Sequence, residues 1–103
     1  MLIVDAQVHV WKAGKASAHH SRGRPDPFTL ADLQAEMRAA GVDAAVLAPP
    51  TWDPNGNAVA LEHAQLLPDR FVVTGEIDWH SAPEPERVRN WRQQPGMHGL
   101  RLI

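Results

Sequence analysis

Short apolar runs alternate with helical patterns along this chain, and that alternation limits its fold more than any other feature. The apolar runs lie at 2–11, 42–48, 71–77 and 99–103. The helical patterns lie between them, at 30–40, 57–67 and 85–93. A strand that rejoins its sheet through a helix runs parallel to the previous strand, with a right-handed crossover. The sequence therefore predicts an α/β domain of order βαβαβαβ with a parallel sheet.

Local signals mark the boundaries of the helices. Thr29 followed by Asp32 resembles a capping box, and a stripe of apolar residues then runs as far as a glycine. Asn57 is expected to cap the second helix. The third helix is expected to bury Val88 and Trp91.

The composition excludes several classes of function. Ten basic and twelve acidic residues give a net charge of −2, which provides no field that would attract nucleic acid or an anionic membrane. Because the chain has no cysteine, His, Asp, Glu or a modified Lys would have to bind any metal ion. The N-terminus does not resemble a signal peptide, and no apolar run is long enough to span a bilayer. We therefore expect no nucleic-acid partner, no membrane association and a cytoplasmic location.

The first apolar run ends in polar side chains that suit an active site. Alternate residues of a strand share a face, so Asp5, Gln7, His9 and Trp11 are expected on one face of the sheet. In parallel α/β barrels the active site lies at the C-terminal ends of the strands. This face is therefore expected to carry the chemistry of the protein.

Three short motifs resemble one known family. Asp-Ala-Gln-Val-His at 5–9 resembles the Asp-x-His-x-His first strand of the amidohydrolase superfamily, in the branch of TIM-barrel hydrolases that includes sugar lactonases and pyrone-dicarboxylate hydrolases. Pro-Asp-Arg-Phe at 68–71 and Gly-Leu-Arg-Leu at 99–102 also look like this family. The resemblance spans the whole chain but only the first four strands of the barrel. It implies a hydrolase that attacks a lactone, a similar cyclic ester or a related C–O or C–N bond.

The length of the chain limits how much of such a barrel it can form. A complete (β/α)8 barrel needs roughly 250 residues, whereas this chain has 103. Residues 1–103 are therefore predicted to form a partial amidohydrolase-related domain, the first half of a TIM barrel. Open sheet edges invite pairing, so a homo-oligomer of two copies that closes eight strands is one expectation. The competing architecture is a small doubly wound sheet with helices on both faces.

Gln7 stands where the resemblance implies the first of two metal-binding histidines. Two histidines spaced i, i+2 on a strand can reach one divalent ion, whereas an amide oxygen is a poor zinc ligand. The resemblance still implies one divalent metal, Zn or Mn, with His9 as a ligand beside residues of later strands. Gln7 and His9 are the predicted catalytic residues, and Gln7 would orient a substrate or a water molecule. The alternative for His9 is a histidine that packs at a strand end and donates a hydrogen bond.

Five further residues near strand ends are predicted to contact a small-molecule substrate. They are Trp11, Trp52, Asp78, Trp79 and Arg101. The tryptophans would wall a pocket for a ring-shaped substrate, and packing beneath long loops explains them equally well. Arg101 would clamp a substrate carboxylate in a bidentate fork, or would pair with Asp78 or Glu76 in a structural role.

The segment 12–28 is predicted to be a long irregular loop, because it is rich in Gly, Pro and polar residues. Its basic residues and histidines follow one another without an acid between them: Lys12, Lys15, His19, His20, Arg22 and Arg24. One interpretation is a solvated mobile loop, and the other is a gate that attracts an anionic substrate.

Two functions therefore fit the sequence. The first is the hydrolase that the resemblance implies, with a strand-end residue activating or positioning water. The second is a non-catalytic product, a truncated or self-associating half barrel that keeps the scaffold without the full catalytic set. Half of the family's site would lie on strands beyond the fourth, so the second function predicts no activity for the isolated chain.

Overall fold

The computed structural model describes residues 1–102, which form one four-stranded parallel sheet with a helix between each pair of strands. The strands are β1 (Val4–Val8), β2 (Ala44–Leu47), β3 (Phe71–Glu76) and β4 (Met97–Arg101). The helices are α1 (Ala18–Ser21), α2 (Leu30–Ala40), α3 (Gly56–Leu66) and α4 (Pro85–Arg89), and a 3₁₀ turn follows at Trp91–Gln93. The predicted α/β class and βαβαβαβ order are confirmed. Ile103, the last residue of the predicted fourth strand, lies outside the described residues.

The strands lie in the sheet in the same order as in the chain, and all neighbours are parallel. Right-handed crossovers that always step in one direction place every helix on the same face of the sheet. Burial in β3 agrees, because Phe71 and Val73 are buried whereas Val72 and Thr74 on the other face are only half-buried. A doubly wound sheet reverses its strand order at a switch point, so that architecture does not fit. The chain has the one-sided arrangement of half a β/α barrel.

The hydrophobic core lies between the sheet and the helices. Leu47, Phe71 and Val73 from the central strands are fully buried, and Leu33 and Met37 of α2 belong to the same cluster. Complete burial of one such side chain stabilises the fold by about 1.5–3 kcal/mol. The core therefore holds the central strands and α2 in place, and the opposite face of the sheet stays open.

The boundaries of α2 agree with its sequence signals. The Thr29 N–H donates to the Asp32 carboxylate at 2.9 Å, and the Asp32 N–H donates to the Thr29 hydroxyl at 3.4 Å, which completes the capping box. Gly41 ends the helix in the left-handed conformation, with φ of 71°. The predicted first helix is confirmed at both ends.

Two predictions on the later helices are wrong. Asn57 does not cap α3, because the helix begins at Gly56 with Asn55 at the cap position. The expected helix over 85–93 divides into α4 and the 3₁₀ turn, and Val88 is 37% exposed rather than buried. Only Trp91 of that segment reaches the core, where its indole N–H donates to the Gly99 carbonyl at 2.8 Å.

β1 contains a register shift that the alternation of its sequence does not predict. Asp5 pairs with Ala45 and Val8 with Leu47, so three steps in β1 match two steps in β2. Ala45 and Leu47 are both buried on the helix-covered face. An extra residue reverses the alternation of a strand, so Asp5 and Val8 share the covered face. His9 therefore lies on the open face, and the expected common face of Asp5 and His9 is wrong.

Candidate functional site

His9 lies at the C-terminal end of β1, half-buried on the open face of the sheet. Its Nδ1 is 2.7 Å from the Ala48 carbonyl oxygen. A carbonyl oxygen can only accept, so Nδ1 carries a hydrogen and the neutral ring has its lone pair on Nε2. Burial lowers the pKa of His9 and outweighs the hydrogen bond to Ala48, which raises it. The neutral ring is therefore favoured, with Nε2 free to accept a proton.

Arg101 and Glu76 are neighbours on the open face, where β3 and β4 pair them directly. The charge of Arg101 lowers the pKa of His9 and that of Glu76 raises it, so the three groups share one electrostatic environment. Arg101 Nη1 donates to the Pro49 carbonyl at 3.3 Å. Within residues 1–102, neither Asp78 nor Glu76 lies within ion-pair distance of Arg101. The structural pairing considered for Arg101 is not formed there, and its guanidinium keeps donors for a ligand.

Trp52 forms an aromatic wall beside His9. The two ring centroids are 5.8 Å apart in an edge-to-face arrangement, and His20 lies 4.8 Å from the Trp52 ring. Trp11 packs edge to face against Trp52 at 5.3 Å and is only 3% exposed, with its indole N–H donating to Asp26 at 2.7 Å. Trp11 therefore lines the groove beside His9, and Trp52 packs against both rings. The role of both as substrate contacts stays a prediction.

Asp53 is a buried residue of the site that sequence reasoning missed. One carboxylate oxygen accepts the backbone N–H groups of Lys12 at 2.9 Å and Ala13 at 3.3 Å, and the other accepts that of Asn55 at 2.9 Å. Burial raises the pKa of Asp53, but these hydrogen bonds together lower it below its usual value. Asp53 thus joins the loop after β1 to the loop after β2. The turn-rich composition of 51–56 predicts a loop but not this partner.

Gly14 makes a further contact between the loop after β1 and the loop after β2. It has φ of 80°, and a Cβ at this position would clash with the Trp52 carbonyl oxygen. Only glycine adopts this backbone at so close an approach without strain. The loop after β1 is therefore seated directly on Trp52.

Gln7 lines the same groove as His9. Its side chain is exposed, and its backbone N–H donates to the Asp5 carboxylate at 3.0 Å. Gln7 and Asp5 line a groove of about 720 Å³ that also reaches Met37 of α2 and His9. Its predicted catalytic role stays a prediction.

Asp78 and Trp79 lie in a second cleft, of about 660 Å³, between the loops after β2 and β3. Trp79 is 45% exposed, and the Asp78 carboxylate accepts the His80 N–H at 2.9 Å. Glu76 also lines this cleft. The sequence-predicted residues therefore divide into a cluster around His9 and a separate pair in the second cleft.

Asn57 positions the end of β3 in the second cleft, which Asn57 and Glu76 both line. Its side chain accepts the Glu76 N–H at 2.9 Å and donates to the Glu76 carbonyl at 2.7 Å. A primary amide can do both, so one side chain satisfies both backbone groups of Glu76. Asn57 therefore holds Glu76 in the position from which its charge affects the pKa of His9.

The metal ion implied by the resemblance was tested against the residues that are present. Within residues 1–102, no group of three or more His, Asp or Glu side chains is placed to hold a metal ion. Catalytic zinc sites use three protein ligands, and here His9 supplies one ring nitrogen. Residues 1–102 alone therefore do not supply the ligand set of a Zn or Mn site. No metal-dependent step is derived, and a metal ion with His9 as one ligand stays a prediction.

Across residues 1–102, none of the helices combines the length and apolar character that crossing a bilayer requires.

Comparison with known proteins supports the fold. No protein-family profile and no curated protein matches the chain. Among solved structures, it is similar to the crystal structure of a probable 2-pyrone-4,6-dicarboxylic acid hydrolase from Acinetobacter baumannii with citric acid bound, with a TM-score of 0.71 and 23% identity. The match covers 99% of this chain and 38% of that chain. The likeness shows the fold, a portion of a TIM-barrel-like α/β structure, and the chain spans well under half of the protein it matches.

Proposed function

We propose that this chain provides the first four strands of a hydrolase site that opens a lactone, a similar cyclic ester or a related C–O or C–N bond. The observation that carries the proposal is the neutral His9 imidazole, whose Nε2 is free at the end of β1 beside Trp52. The sequence resemblance to amidohydrolases and the structural likeness to a probable hydrolase support it. On this proposal, the protein is a member of the lactonase-like branch of that superfamily.

In the proposed reaction, His9 acts as a general base. Nε2 accepts a proton from water as the water oxygen attacks the ester carbonyl carbon. The ring C–O bond then breaks, and the leaving oxygen takes the proton back from the imidazolium, so His9 ends neutral. Glu76 stabilises the transient imidazolium, because its charge favours the protonated form of His9.

The remaining residues would bind the substrate. Arg101 would hold a carboxylate in a bidentate fork, since only the Pro49 carbonyl engages it within residues 1–102. Trp11 and Trp52, whose rings pack edge to face at 5.3 Å, would together form an aromatic wall for a planar ring. Gln7, Asp78 and Trp79 are proposed as further contacts.

The test is hydrolysis of 2-pyrone-4,6-dicarboxylate and of simple lactones by the purified chain. His9→Ala and His9→Gln are expected to lower the rate by about 100-fold or more, as for loss of a general base. The matched control is His98→Ala, which removes an exposed histidine of β4 and should leave the rate unchanged. Absence of turnover by the wild-type chain, or an unchanged rate in both His9 variants, would overturn the proposal.

A self-associating scaffold is the second candidate function, because both outer strands have a free edge within the described residues. β1 pairs only with β2 and β4 only with β3, and Met1, Leu2, Ile3 and Val4 are exposed at the β1 edge. Edge strands with exposed apolar residues readily pair with another chain. Two copies joined β4 to β1 would close eight parallel strands.

Analytical ultracentrifugation tests this candidate. A dimer that Val4→Lys converts to monomer, together with absence of lactone hydrolysis, supports the scaffold. A wild-type monomer across the micromolar range contradicts it.

A further inference from the structure

Asn55 and Gly56 form an Asn-Gly pair where the loop after β2 enters α3. The chain has three asparagines, Asn55, Asn57 and Asn90, and only Asn55 is followed by glycine. A backbone nitrogen can attack the side-chain carbonyl carbon of the asparagine before it, and glycine hinders this attack least because it has no side chain. The sequence therefore separates Asn55 from the other two asparagines in this chemistry.

The side-chain amide of Asn55 is also free in the structure. Asn55 is exposed, and its side chain makes no capping hydrogen bond to α3. Its backbone N–H, in contrast, donates to the Asp53 carboxylate at 2.9 Å and holds the turn in place. Because no hydrogen bond of the amide has to be broken, the side chain can turn toward the following nitrogen at little cost in free energy.

The other two asparagines have side-chain amides that are engaged. The Asn57 amide bonds both backbone groups of Glu76. The Asn90 amide donates to the Glu86 carboxylate at 3.3 Å, and the bulky Trp91 follows it in the chain. Both side chains would have to break hydrogen bonds before they could turn toward the following nitrogen. The structure therefore singles out the same asparagine as the sequence.

One contact restrains the Asn-Gly pair. The Gly56 N–H donates to the Asp53 carbonyl at 3.1 Å, so the attacking nitrogen is free only when this turn opens. Exposed loops and helix ends open locally at a small cost in free energy. The reaction is therefore expected to be slow in the folded chain, and its rate should report how often the turn opens.

We propose that Asn55 is a modification site, at which the chain converts its own side-chain amide to a carboxylate with water as the co-reactant. The Gly56 nitrogen bonds to the side-chain carbonyl carbon of Asn55 and loses its proton, and the side-chain nitrogen leaves as ammonia. Water then opens the five-membered imide by breaking one of the two bonds between its nitrogen and a carbonyl carbon. One break gives aspartate, and the other gives isoaspartate, in which the main chain runs through the former side chain. The proposal does not depend on the hydrolase function.

The modification would alter the second cleft, which Asn55 lines together with Asp53 and Asp78. Aspartate adds a negative charge to this cleft and remains a good N-cap for α3. Isoaspartate lengthens the main chain before Gly56, where an added Cβ would lie only 2.8 Å from the Pro49 Cβ. Because the contact has no spare room, isoaspartate is expected to displace the start of α3 from Pro49.

The test incubates the purified chain at mildly alkaline pH and locates new carboxylates by peptide mass spectrometry, with isoaspartyl methyltransferase labelling to detect isoaspartate. Asn55 is expected to react at least tenfold faster than Asn57 and Asn90. Urea should accelerate the reaction further, because the Gly56 N–H is then free. A native rate at Asn55 that is no faster than the rates at Asn57 and Asn90 would overturn the proposal.

The matched variant Ala58→Gly separates the effect of sequence from that of structure, because it creates a second Asn-Gly pair at an exposed position of α3. Asn57 keeps its two bonds to Glu76 in this variant and is expected to stay at least tenfold slower than Asn55. Circular dichroism checks that α3 persists, since glycine weakens a helix. Equal native rates at Asn57 and Asn55 would overturn the role of the free amide.

Discussion

Leu47 and Val73 on the helix-covered face of the sheet are fully buried, apolar and part of one cluster. His9, Glu76 and Arg101 on the open face are polar and only half-buried. Burial of apolar area stabilises the fold wherever it occurs, whereas a polar group is useful to a ligand only if it keeps free donors or acceptors. The difference separates apolar packing on the covered face from polar side chains with free donors and acceptors on the open face. Substitutions on the two faces should therefore have separable effects.

Truncation of the covered face gives the largest expected effect. Leu47→Ala should lower the free energy of unfolding by about 2–5 kcal/mol, because it removes buried methyl groups and leaves a cavity. Val46→Ala, one residue away on the open face, is the control and should cost clearly less. Urea unfolding followed by circular dichroism measures both. An equal loss of unfolding free energy in both variants would contradict the proposed difference between the two faces of the sheet.

Gly14 tests how closely the loop after β1 packs on Trp52 at the edge of the site. Gly14→Ala should destabilise the fold by about 2–4 kcal/mol, since it combines left-handed strain with overpacking against the Trp52 carbonyl. Gly23 has a similar φ of 77° but open space around its Cβ position. Gly23→Ala should therefore cost only the strain, about 1–2 kcal/mol. Indistinguishable unfolding midpoints would show that Gly14 does not hold the loop on Trp52.

Asn57 links the two faces at the end of β3. Asn57→Asp removes the donor to the Glu76 carbonyl and places a carboxylate beside it, which should cost about 1–3 kcal/mol. Asn55→Asp is the matched control, because an acid at the exposed N-cap of α3 is well tolerated. NMR titration of His9 in each variant reports whether Glu76 has moved. A normal His9 titration and unchanged stability in Asn57→Asp would argue against the positioning role.

The pH dependence of stability is the smallest expected effect. Burial lowers the pKa of His63, which is 5% exposed on α3, and also that of His9. In the unfolded chain both titrate near about 6.5. Just below that pH the unfolded chain binds more protons, so acid favours unfolding. The free energy of unfolding should be highest above about pH 7 and should fall as the pH decreases through about 6.5 toward the folded-state values.

The control for this prediction is His63→Gln, which cannot be protonated. It should flatten the part of the pH profile that His63 contributes, as measured by denaturant unfolding between pH 5 and 8. A profile that does not change in the variant would assign the effect to other groups.

Elements with local signals were predictable from the sequence. The capping box of Thr29 and Asp32 predicted the start of α2, and Gly41 predicted its end. The apolar runs predicted all four strands, with ends that differ by at most three residues. These signals work because the interacting groups lie within a few residues of one another.

The candidate site was predictable only in part. His9, Trp52 and Arg101 were expected at strand ends, and the structure brings them to one region of the open face. Asp53 and Asn57 were not expected there as contacts, and His20 was expected only as part of a basic loop that is either solvated or a gate. Each of their contacts joins loops or elements that are distant in the chain, so no local pattern reports it.

The sequence by itself determined the parallel α/β order, the ends of α2 and the residues available for chemistry. Only the tertiary structure decided which of these residues meet. The register shift between Asp5 and Val8 depends on pairing with β2, and it alone places Asp5 and His9 on opposite faces of the sheet. The bonds that define the site, from His9 to Ala48 and from Lys12 to Asp53, span 39 and 41 residues. Such bonds depend on the assembled sheet, because packing of the whole chain, rather than local propensity, brings their partners together.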